Sequence, residues 1–362
     1  MKMRVCMVAG EASADRHASA VIRALRALAP DLEVFGMGGP EMKAAGMECL
    51  YGADELSVMG FSDVLPRVRH ILSVFRGLLG AIEERKPHVV VPVDLPDFNM
   101  RLAKKARRSG FKVLYYIAPQ AWAWRGYRAS TLAGITDGLA VIFPFEQEFF
   151  SSRGVNARYV GHPFMEDPST DAQRPASWPP GDVLLMPGSR RHEIETILPL
   201  MNGARRLVQK RHPGLSWRLR MAPGLDRRIF EALADPGVDL THELPGADLA
   251  VVKSGTSSFE MAVRGVPEII CYRTSRLNYR LAKTFVTVGR IGMPNIILGA
   301  DAVPELIQEN FTPESLAAEI CGLVEDEKRF VRMQEDFARL RGLLGHSSPS
   351  EEVAKWITAL AS

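Results

Sequence analysis

An aspartate at the end of an apolar segment has a position suited to acid–base chemistry. In "VVVPVDLPDFN", Val89 to Asn99, Asp94 ends a strand pattern and Pro96 takes the first position of a helix pattern. A carboxylate at the carboxyl edge of a buried strand can be desolvated, which raises its pKa and suits it to act as a general base. Asp94 and Asp97 also have capping-box spacing, so a helix cap explains Asp94 equally well.

The first strand–helix turn carries two more carboxylates. The stretch "VCMVAGEASAD", Val5 to Asp15, lacks the three spaced glycines of a dinucleotide fingerprint and has Glu11 and Asp15 instead. These carboxylates would repel a pyrophosphate and suit sugar hydroxyls. We therefore expect this turn to face an acceptor or a transferred group.

A turn in the second half of the chain has the features of a phosphate site. In "VVKSGTSSFE", a strand ends at Val252 and a small polar turn opens a helix whose first amides lack partners. Glu260, one turn into the helix, is placed to accept hydrogen bonds from a ribose. A capped helix with an exposed glutamate is the alternative. The predicted nucleotide-binding residues of this turn are Ser254, Gly255, Thr256, Ser257 and Glu260.

A second turn of this kind lies in "LLMPGSRRHEIE", Leu184 to Glu195. Here Gly188 and Ser189 are predicted to free backbone donors after a strand, and Arg190 adds a guanidinium fork suited to phosphate oxygens. A solvated strand end explains the arginine without a ligand. Two such turns in one half of the chain favour a nucleotide there.

These turns need strands and helices to position them, and the sequence supplies both in alternation. Short apolar runs alternate with longer amphipathic stretches, which predicts parallel strands with crossover helices. The fold class is α/β, with two doubly wound, Rossmann-like parallel-sheet domains facing a cleft. We expect an acceptor- or lipid-facing domain over residues 1–163, a proline-rich linker over 164–181, and a nucleotide-binding domain over 182–345. A helix over 346–362 is expected to pack back on the first domain.

Composition excludes several classes of protein. The 45 Lys and Arg and 42 Asp and Glu among 362 residues give a net charge of +3, too balanced for a nucleic-acid partner. The four cysteines have no paired spacing, which predicts reduced thiols in a cytoplasmic protein and no zinc site. A strand pattern begins too early for a signal peptide. No apolar run approaches the roughly 20 residues of a spanning helix, so membrane contact is expected to be peripheral.

The motifs taken together resemble those of the lipid-A-disaccharide synthase family. They are "VAGEASAD", "SVMGFSDVLPR", "VDLPDFN", "IAPQAWAWR", "FPFEQEFF", "YVGHP", "MPGSRRHEI", "KSGTSSFE" and "MPNIILGADAVPELIQ", in the family's order. The resemblance implies a glycosyltransferase B architecture that joins UDP-2,3-diacylglucosamine to 2,3-diacylglucosamine 1-phosphate. The implied products are lipid A disaccharide 1-phosphate and UDP, with inversion and with no required metal or cofactor.

The resemblance also implies roles for single residues. Asp94 matches the family's catalytic aspartate, Glu11 its glutamate in "AGE", Arg190 its phosphate-binding arginine and Asn295 its asparagine in "LPN". Glu260 matches the glutamate of "SGTxxxE".

The sequence departs from the family's pattern at three positions: Ala14 and Ala18 stand where glycines are usual, and Glu268 lies in a strand that is usually apolar. Two alternative functions stay open: another UDP-sugar glycosyltransferase or epimerase, or a catalytically silent nucleotide- or lipid-binding protein.

Acylated substrates give one further segment a potential role. In "FSDVLPRVRHILSVFRGLLGAI", Phe61 to Ile82, apolar residues recur at helical spacing with arginines along the edges. An ordinary core-facing helix explains this pattern, and so does insertion among anionic headgroups at the inner-membrane surface. Oligomerisation stays open. The predicted membrane- or lipid-contacting residues are Leu65, Arg67, Val68, Arg69, Leu72, Phe75 and Arg76.

Overall fold

The structure is a computed structural model, in which the chain divides into two compact units. Unit 1 comprises Met1–Glu166 and His346–Ser362, and unit 2 comprises Asp167–Gly345. Of residues 64–68 only the backbone is described. The described residues are 2–53, 55, 64–124, 126–166, 176–222, 224–242, 246–275, 279, 289–345 and 348–362.

A parallel sheet of seven described strands forms the centre of unit 1, in the order β3-β2-β1-β4-β5-β6-β7. Its central strands are continuous apolar runs, as expected where helices cover both faces. The strands are β1 (Arg4–Ala9), β2 (Glu33–Gly38), β3 (Glu48–Gly52), β4 (Val89–Val93), β5 (Lys112–Tyr116), β6 (Gly138–Val141) and β7 (Ala157–Tyr159).

Helices enclose this sheet and create a core on each side. The described helices of this part of unit 1 are α1 (Ala12–Leu28), α2 (Pro40–Ala44), α3 (Val64–Arg85), α4 (Pro96–Arg108), α5 (Tyr127–Ala133) and α6 (Pro144–Ser151). Alternate residues of β1 enter the two cores, because successive side chains of a strand point to opposite faces. Met7 packs in one core with Ile22 of α1, and Val8 packs in the other with Leu78 of α3 and Leu102 of α4.

Unit 2 repeats the design with a parallel sheet of six described strands, in the order β10-β9-β8-β11-β12-β13. The strands are β8 (Asp182–Met186), β9 (Ser216–Arg220), β10 (Asp239–Thr241), β11 (Leu249–Lys253), β12 (Glu268–Tyr272) and β13 (Glu305–Ile307). The described helices are α7 (Arg191–Arg211), α8 (Arg227–Leu233), α9 (Thr256–Val263), α10 (Met293–Leu298), α11 (Pro313–Glu325) and α12 (Glu327–Leu344).

The last helix, α13 (Pro349–Ala361), belongs to unit 1. It packs against α1, where Val353 and Ile357 share a core cluster with Val21 and Ile22. Within the described residues, no helix is both long enough and apolar enough to cross a membrane.

The predicted linker overlaps both units at its ends. Phe164 is buried in a short 3-10 helix, Pro163–Glu166, in unit 1. In unit 2, the backbone amides of Ser177 and Gly181 donate to the carboxylate of Asp248 at 3.0 and 2.9 Å. Residues 167–175 lie outside the described part of the chain.

Each sheet reverses its strand order at one point, and the chemically interesting turns follow the strands that flank it. In unit 1 the order reverses between β1 and β4, where Ala9 pairs with Val93. In unit 2 it reverses between β8 and β11, where Met186 pairs with Val252. Ligands of open α/β sheets bind beyond the carboxyl ends of such strands, so this topology positions both candidate sites.

Candidate active site

Asp94 lies at the end of β4 in a strained backbone conformation. Both Asp94 and the following Leu95 have positive φ, 51° and 50°. Such angles are unfavourable for residues other than glycine and persist where the surroundings impose them. Here two hydrogen bonds restrain the backbone: the carbonyl oxygen of Asp94 accepts one from Asn99 Nδ2 at 2.8 Å and one from the Tyr115 hydroxyl at 2.7 Å.

The Asp94 carboxyl group does not cap the helix that follows it. The residue preceding α4 is Leu95, and no side-chain capping bond is made. Burial raises the pKa of Asp94 to about 6, and the negative charge of Glu11 contributes to the rise. Of the two interpretations of Asp94, the structure removes the cap and leaves a carboxylate whose basicity suits proton transfer near neutral pH.

The two carboxylates of the first turn have different environments. Glu11 precedes α1 and is exposed, so its carboxylate is accessible to a ligand. Asp15 is buried, and its oxygens accept hydrogen bonds from the amides of Gly39, Glu41 and Met42 at 2.8–3.1 Å. The expectation that Asp15 binds sugar hydroxyls is therefore wrong, because this carboxylate holds the start of α2.

Two alanines of α1, at which the resemblance led us to expect glycines, lie in the interior. Ala14 and Ala18 are both buried in the core cluster that contains Val21 and Val353. Their methyl groups fill space between α1 and its neighbours, so they do not project into the turn at Glu11.

Another buried carboxylate joins the turns that follow β5 and β6. Glu146 accepts a hydrogen bond from Trp122 Nε1 at 2.9 Å and one from the Phe143 amide at 3.1 Å. Burial raises the pKa of Glu146 to about 7. Phe143 also lies 5.2 Å from the ring of His162, which follows β7. Sequence reasoning missed Glu146, because its position in the first turn of α6 is visible in the sequence but its hydrogen bond to Trp122 is not.

In unit 2, a side chain of the following helix already binds amides of the predicted phosphate turn after β8. Glu193 Oε2 accepts hydrogen bonds from the amides of Ser189 at 3.1 Å and Arg190 at 3.3 Å. Gly188 has a φ of 128°, and a Cβ there would collide with the same carboxylate. The expectation of free amides is thus wrong for Ser189, whose amide is already bound, and the exposed side chain of Arg190 is left as an anion-binding group.

Two cations surround this carboxylate. Lys253 Nζ lies 3.0 Å from Glu193 Oε1, and Arg190 Nη1 lies 3.9 Å from it. Burial opposes the ionisation of Glu193, but the charge of Lys253 and the two amides outweigh it and hold its pKa below the ordinary value. The Arg190 side chain is 63% exposed, so it can meet a ligand while Glu193 fixes its backbone. Sequence reasoning missed both Glu193 and Lys253.

The second turn, after β11, has donors that remain available. Gly255 directly precedes α9 and has a φ of 152°, which favours glycine, and a Cβ there would meet only Lys253 within 4 Å. No acceptor among the described residues pairs with the amides of Gly255, Thr256 and Ser257. Ser254 instead uses its hydroxyl to bind the Ile291 carbonyl at 3.1 Å. This turn can receive an anion.

Glu260 is held by two arginines, one directly after α9 and one at the end of β9. Arg264 donates to Glu260 Oε1 at 3.1 Å, and Arg220 Nη1 lies 3.6 Å from Oε2. A carboxylate oxygen can accept more than one hydrogen bond, so this glutamate keeps acceptor capacity for hydroxyls.

Asn295 is in the interior, contrary to its predicted role in nucleotide binding. Its Nδ2 donates to the Val303 carbonyl and to Glu305 Oε1, both at 2.8 Å, and its Oδ1 accepts from the Val303 amide at 2.9 Å. The side chain is 1% exposed. These bonds use both donors of the amide, so Asn295 joins α10 to the segment before β13.

The segment with predicted lipid contacts forms α3, and its described part has two apolar faces. Val74 and Leu78 are buried in the core, whereas Phe75 is partly buried and Leu72 is 42% exposed. The predicted lipid-contacting residues Leu72 and Phe75 therefore lie beside the side of the helix that faces the core, not on it. The side chains of Leu65, Arg67 and Val68 lie outside the described residues; those of Arg69 and Arg76 are exposed.

Metal ligands do not gather at either strand-end site within the described residues. The group of three that could offer ligand atoms within 4.8 Å of one another is His212, Cys321 and Glu325, at the end of α7 and on α11. Glu325 is already engaged there by Arg211 at 2.9 Å.

Comparisons with known proteins identify the family of the chain. The sequence model of the lipid-A-disaccharide synthetase family matches residues 5–355. A lipid-A-disaccharide synthase of Myxococcus xanthus is 39% identical over 372 residues, covering 99% of this chain and 97% of that protein.

Solved structures share the fold at low sequence identity. The calicheamicin glycosyltransferase CalG4 has a TM-score of 0.65 at 15% identity, covering 99% of this chain and 98% of the other. A UDP-GlcNAc 2-epimerase from Neisseria meningitidis, solved with UDP-GlcNAc, has a TM-score of 0.64 at 12% identity, covering 99% and 100%. The predicted glycosyltransferase B fold class is confirmed. Since the family match spans nearly the whole sequence, the chain belongs to the lipid-A-disaccharide synthase family.

Proposed function

We propose that this protein transfers 2,3-diacylglucosamine from UDP to the primary hydroxyl of 2,3-diacylglucosamine 1-phosphate. The hydroxyl oxygen forms a bond to the anomeric carbon on the face opposite UDP, and the bond from that carbon to the phosphate oxygen breaks. The anomeric configuration is thereby inverted. The observation that carries the proposal is Asp94, a strained, partly desolvated carboxylate in a chain of this family.

Asp94 is the proposed general base. It accepts the proton that the acceptor hydroxyl loses during attack, a role worth roughly two to four powers of ten in rate. Glu11 contributes by its negative charge, which helps raise the pKa of Asp94 to about 6 and makes it a stronger base. Being exposed, the Glu11 carboxylate is also available to sugar hydroxyls.

Unit 2 is the proposed UDP site. The amides of Gly255, Thr256 and Ser257 and the side chain of Arg190 would bind the pyrophosphate, and Glu260 would accept hydrogen bonds from the ribose. Arg190 and Lys253 bring positive charge to the place where the leaving phosphate gains negative charge. We propose that these cations serve in place of a metal ion.

The acyl chains suggest a role for α3. Phe75 meets Phe98 edge-on, with ring centroids 5.4 Å apart, and Phe98 lies in the first turn of α4 beyond Asp94. The exposed side of α3 at Leu72 is therefore continuous with apolar side chains close to the proposed base. We propose that α3 and the exposed basic residues of α4 hold the protein at an anionic membrane surface.

The test is an assay of the pure protein with both acylated substrates, in detergent and without added metal. Disaccharide 1-phosphate and UDP should appear in equal amounts. Asp94→Asn should lose most of the rate and keep UDP binding near the wild-type value by calorimetry. Epimerised UDP-sugar without disaccharide, or a metal requirement after chelation, would contradict the corresponding part of the proposal.

A further inference from the structure

Gln308 has an unusual environment for a polar residue. It follows β13 directly, has a positive φ of 54° and is 5% exposed. Its Oε1 accepts a long hydrogen bond of 3.4 Å from the Thr274 amide, after β12. Its Nε2 has no hydrogen-bond partner among the described residues. A buried donor without an acceptor is costly, and native proteins rarely keep one unless a ligand or water completes it.

The position of Gln308 links it to the nucleotide turns. The carboxyl ends of β8, β11, β12 and β13 follow one another along the same edge of the sheet. Lys253 at the end of β11 lies 5.8 Å from the ring centroid of Tyr272 at the end of β12. Tyr272 pairs in register with Ile307, the residue before Gln308. Gln308 therefore continues the row that begins at Arg190.

The direction of the ligand along this row follows from Glu260. Glu260, the residue proposed to bind the ribose, pairs with Arg220 at the end of β9. In the sheet, β9 and β11 lie on opposite sides of β8. If the nucleoside lies toward β9, the group on the second phosphate extends the opposite way, toward β12 and β13. In a nucleotide-sugar, that group is the sugar.

We infer that Gln308 Nε2 donates a hydrogen bond to an oxygen of the transferred sugar, which makes Gln308 a donor-sugar specificity residue. The inference rests on the proposed UDP site. Because the Thr274 amide binds Oε1 of Gln308, Nε2 is the end of the side-chain amide that is left for a ligand. The sugar oxygen would satisfy the donor that the protein leaves unpaired.

Calorimetry with two probes separates this role from a structural one. Gln308→Met should leave the affinity for UDP within about twofold of wild type. It should weaken binding of UDP-2,3-diacylglucosamine in detergent about three- to tenfold, as expected for one hydrogen bond. Gln308→Glu keeps the acceptor for Thr274 and removes the donor, so it should show the same selective loss and decides the question if the methionine variant does not fold.

A matched control is Gln209→Met, because both ends of the Gln209 amide already have protein partners, Trp217 Nε1 and the Pro213 carbonyl, each at 2.7 Å. It should not change the ratio of the two affinities. Equal losses for UDP and UDP-sugar in the Gln308 variants, or no loss for either, would overturn the inference. Failure of wild-type protein to bind UDP would instead overturn the proposed nucleotide site.

Discussion

Asn99 holds the backbone of Asp94 from within the protein. Its Nδ2 lies 2.8 Å from the Asp94 carbonyl oxygen, 3.1 Å from that of Val93 and 3.2 Å from that of Val8. One buried amide thus ties the end of β4 to the end of β1, where the strand order reverses. The strained turn that presents the proposed base depends on this side chain.

Asn99→Ala should therefore reduce both stability and turnover. Loss of the amide leaves buried carbonyl groups without their donor, which costs about 1–3 kcal/mol in the free energy of unfolding. Turnover per folded molecule should also fall, because Asp94 and Leu95 can relax from positive φ. Urea unfolding and the disaccharide assay measure the two effects separately. A variant that is less stable and retains its full rate per folded molecule would show that Asn99 does not position Asp94.

The pH dependence of the rate should report Asp94. With a pKa of about 6, the base is protonated in acid, so kcat/KM should rise with pH and level off above about 7. Glu11→Gln removes a negative charge near Asp94, which favours the ionised form and lowers its pKa. The acid limb of the profile should move to lower pH. Glu41→Gln, on the exposed side of α2, is the control and should leave the limb in place.

The positions of Asp94 and the phosphate turns could be predicted because they depend on local chain order. A buried parallel strand ends, and a glycine or proline starts the next helix, so the sequence shows where each turn lies. The partners within the protein could not be predicted in this way. Asp15 and Asn295 were given ligand roles, yet Asp15 accepts hydrogen bonds from amides 24 to 27 residues away, and Asn295 bonds to Val303 and Glu305, 8 and 10 residues away. Hydrogen-bond competition of this kind is visible only in three dimensions.

Arg190→Ala and Glu260→Ala should each weaken UDP binding. Arg190 would contact phosphate and Glu260 would contact ribose. The arginine is largely exposed, so its contribution should shrink as salt screens it, and the difference between wild type and Arg190→Ala should narrow at high ionic strength. The effect of Glu260→Ala should depend less on salt. Calorimetry at two salt concentrations measures both. Unchanged affinity in both variants would locate the nucleotide elsewhere.

Glu268 should destabilise the protein at neutral pH. It is fully buried at the start of β12, and neither carboxylate oxygen has a hydrogen-bond partner among the described residues. Burial raises the pKa of Glu268 well above 4.5. A raised pKa in the folded state gives stability that is present in acid and lost as pH rises above the unfolded value. Each pH unit between the two pKa values costs about 1.4 kcal/mol.

Glu268→Leu should thus be more stable than wild type at pH 7 and less different from it near pH 4.5. Urea unfolding of both proteins across this range tests the sign. Two stability curves that stay parallel would mean that Glu268 ionises freely in the folded state. The role of this residue in activity has no structural explanation here, because it lies at the amino end of its strand, opposite the nucleotide turns.

The membrane proposal makes a prediction that depends on where charge is removed. Arg69 and Arg76 are exposed on α3 near Leu72, and Arg227 and Arg228 are exposed on α8 of unit 2. Replacing either pair with serine removes the same two charges. Only the α3 pair is expected to matter at a bilayer, at about 1 kcal/mol for each arginine near an anionic surface. Two such losses correspond to about thirtyfold weaker partitioning into anionic vesicles.

Sedimentation with vesicles of defined anionic lipid content measures that partitioning, and added salt should release the wild-type protein. The α3 variant should also lose activity on substrates presented in the bilayer, while its activity in detergent stays close to wild type. The α8 variant should match wild type in both assays. Equal effects of the two variants would point to net charge alone. Absence of vesicle binding by the wild type would contradict a membrane role for the exposed side of α3 and would leave Phe75 only its packing against Phe98.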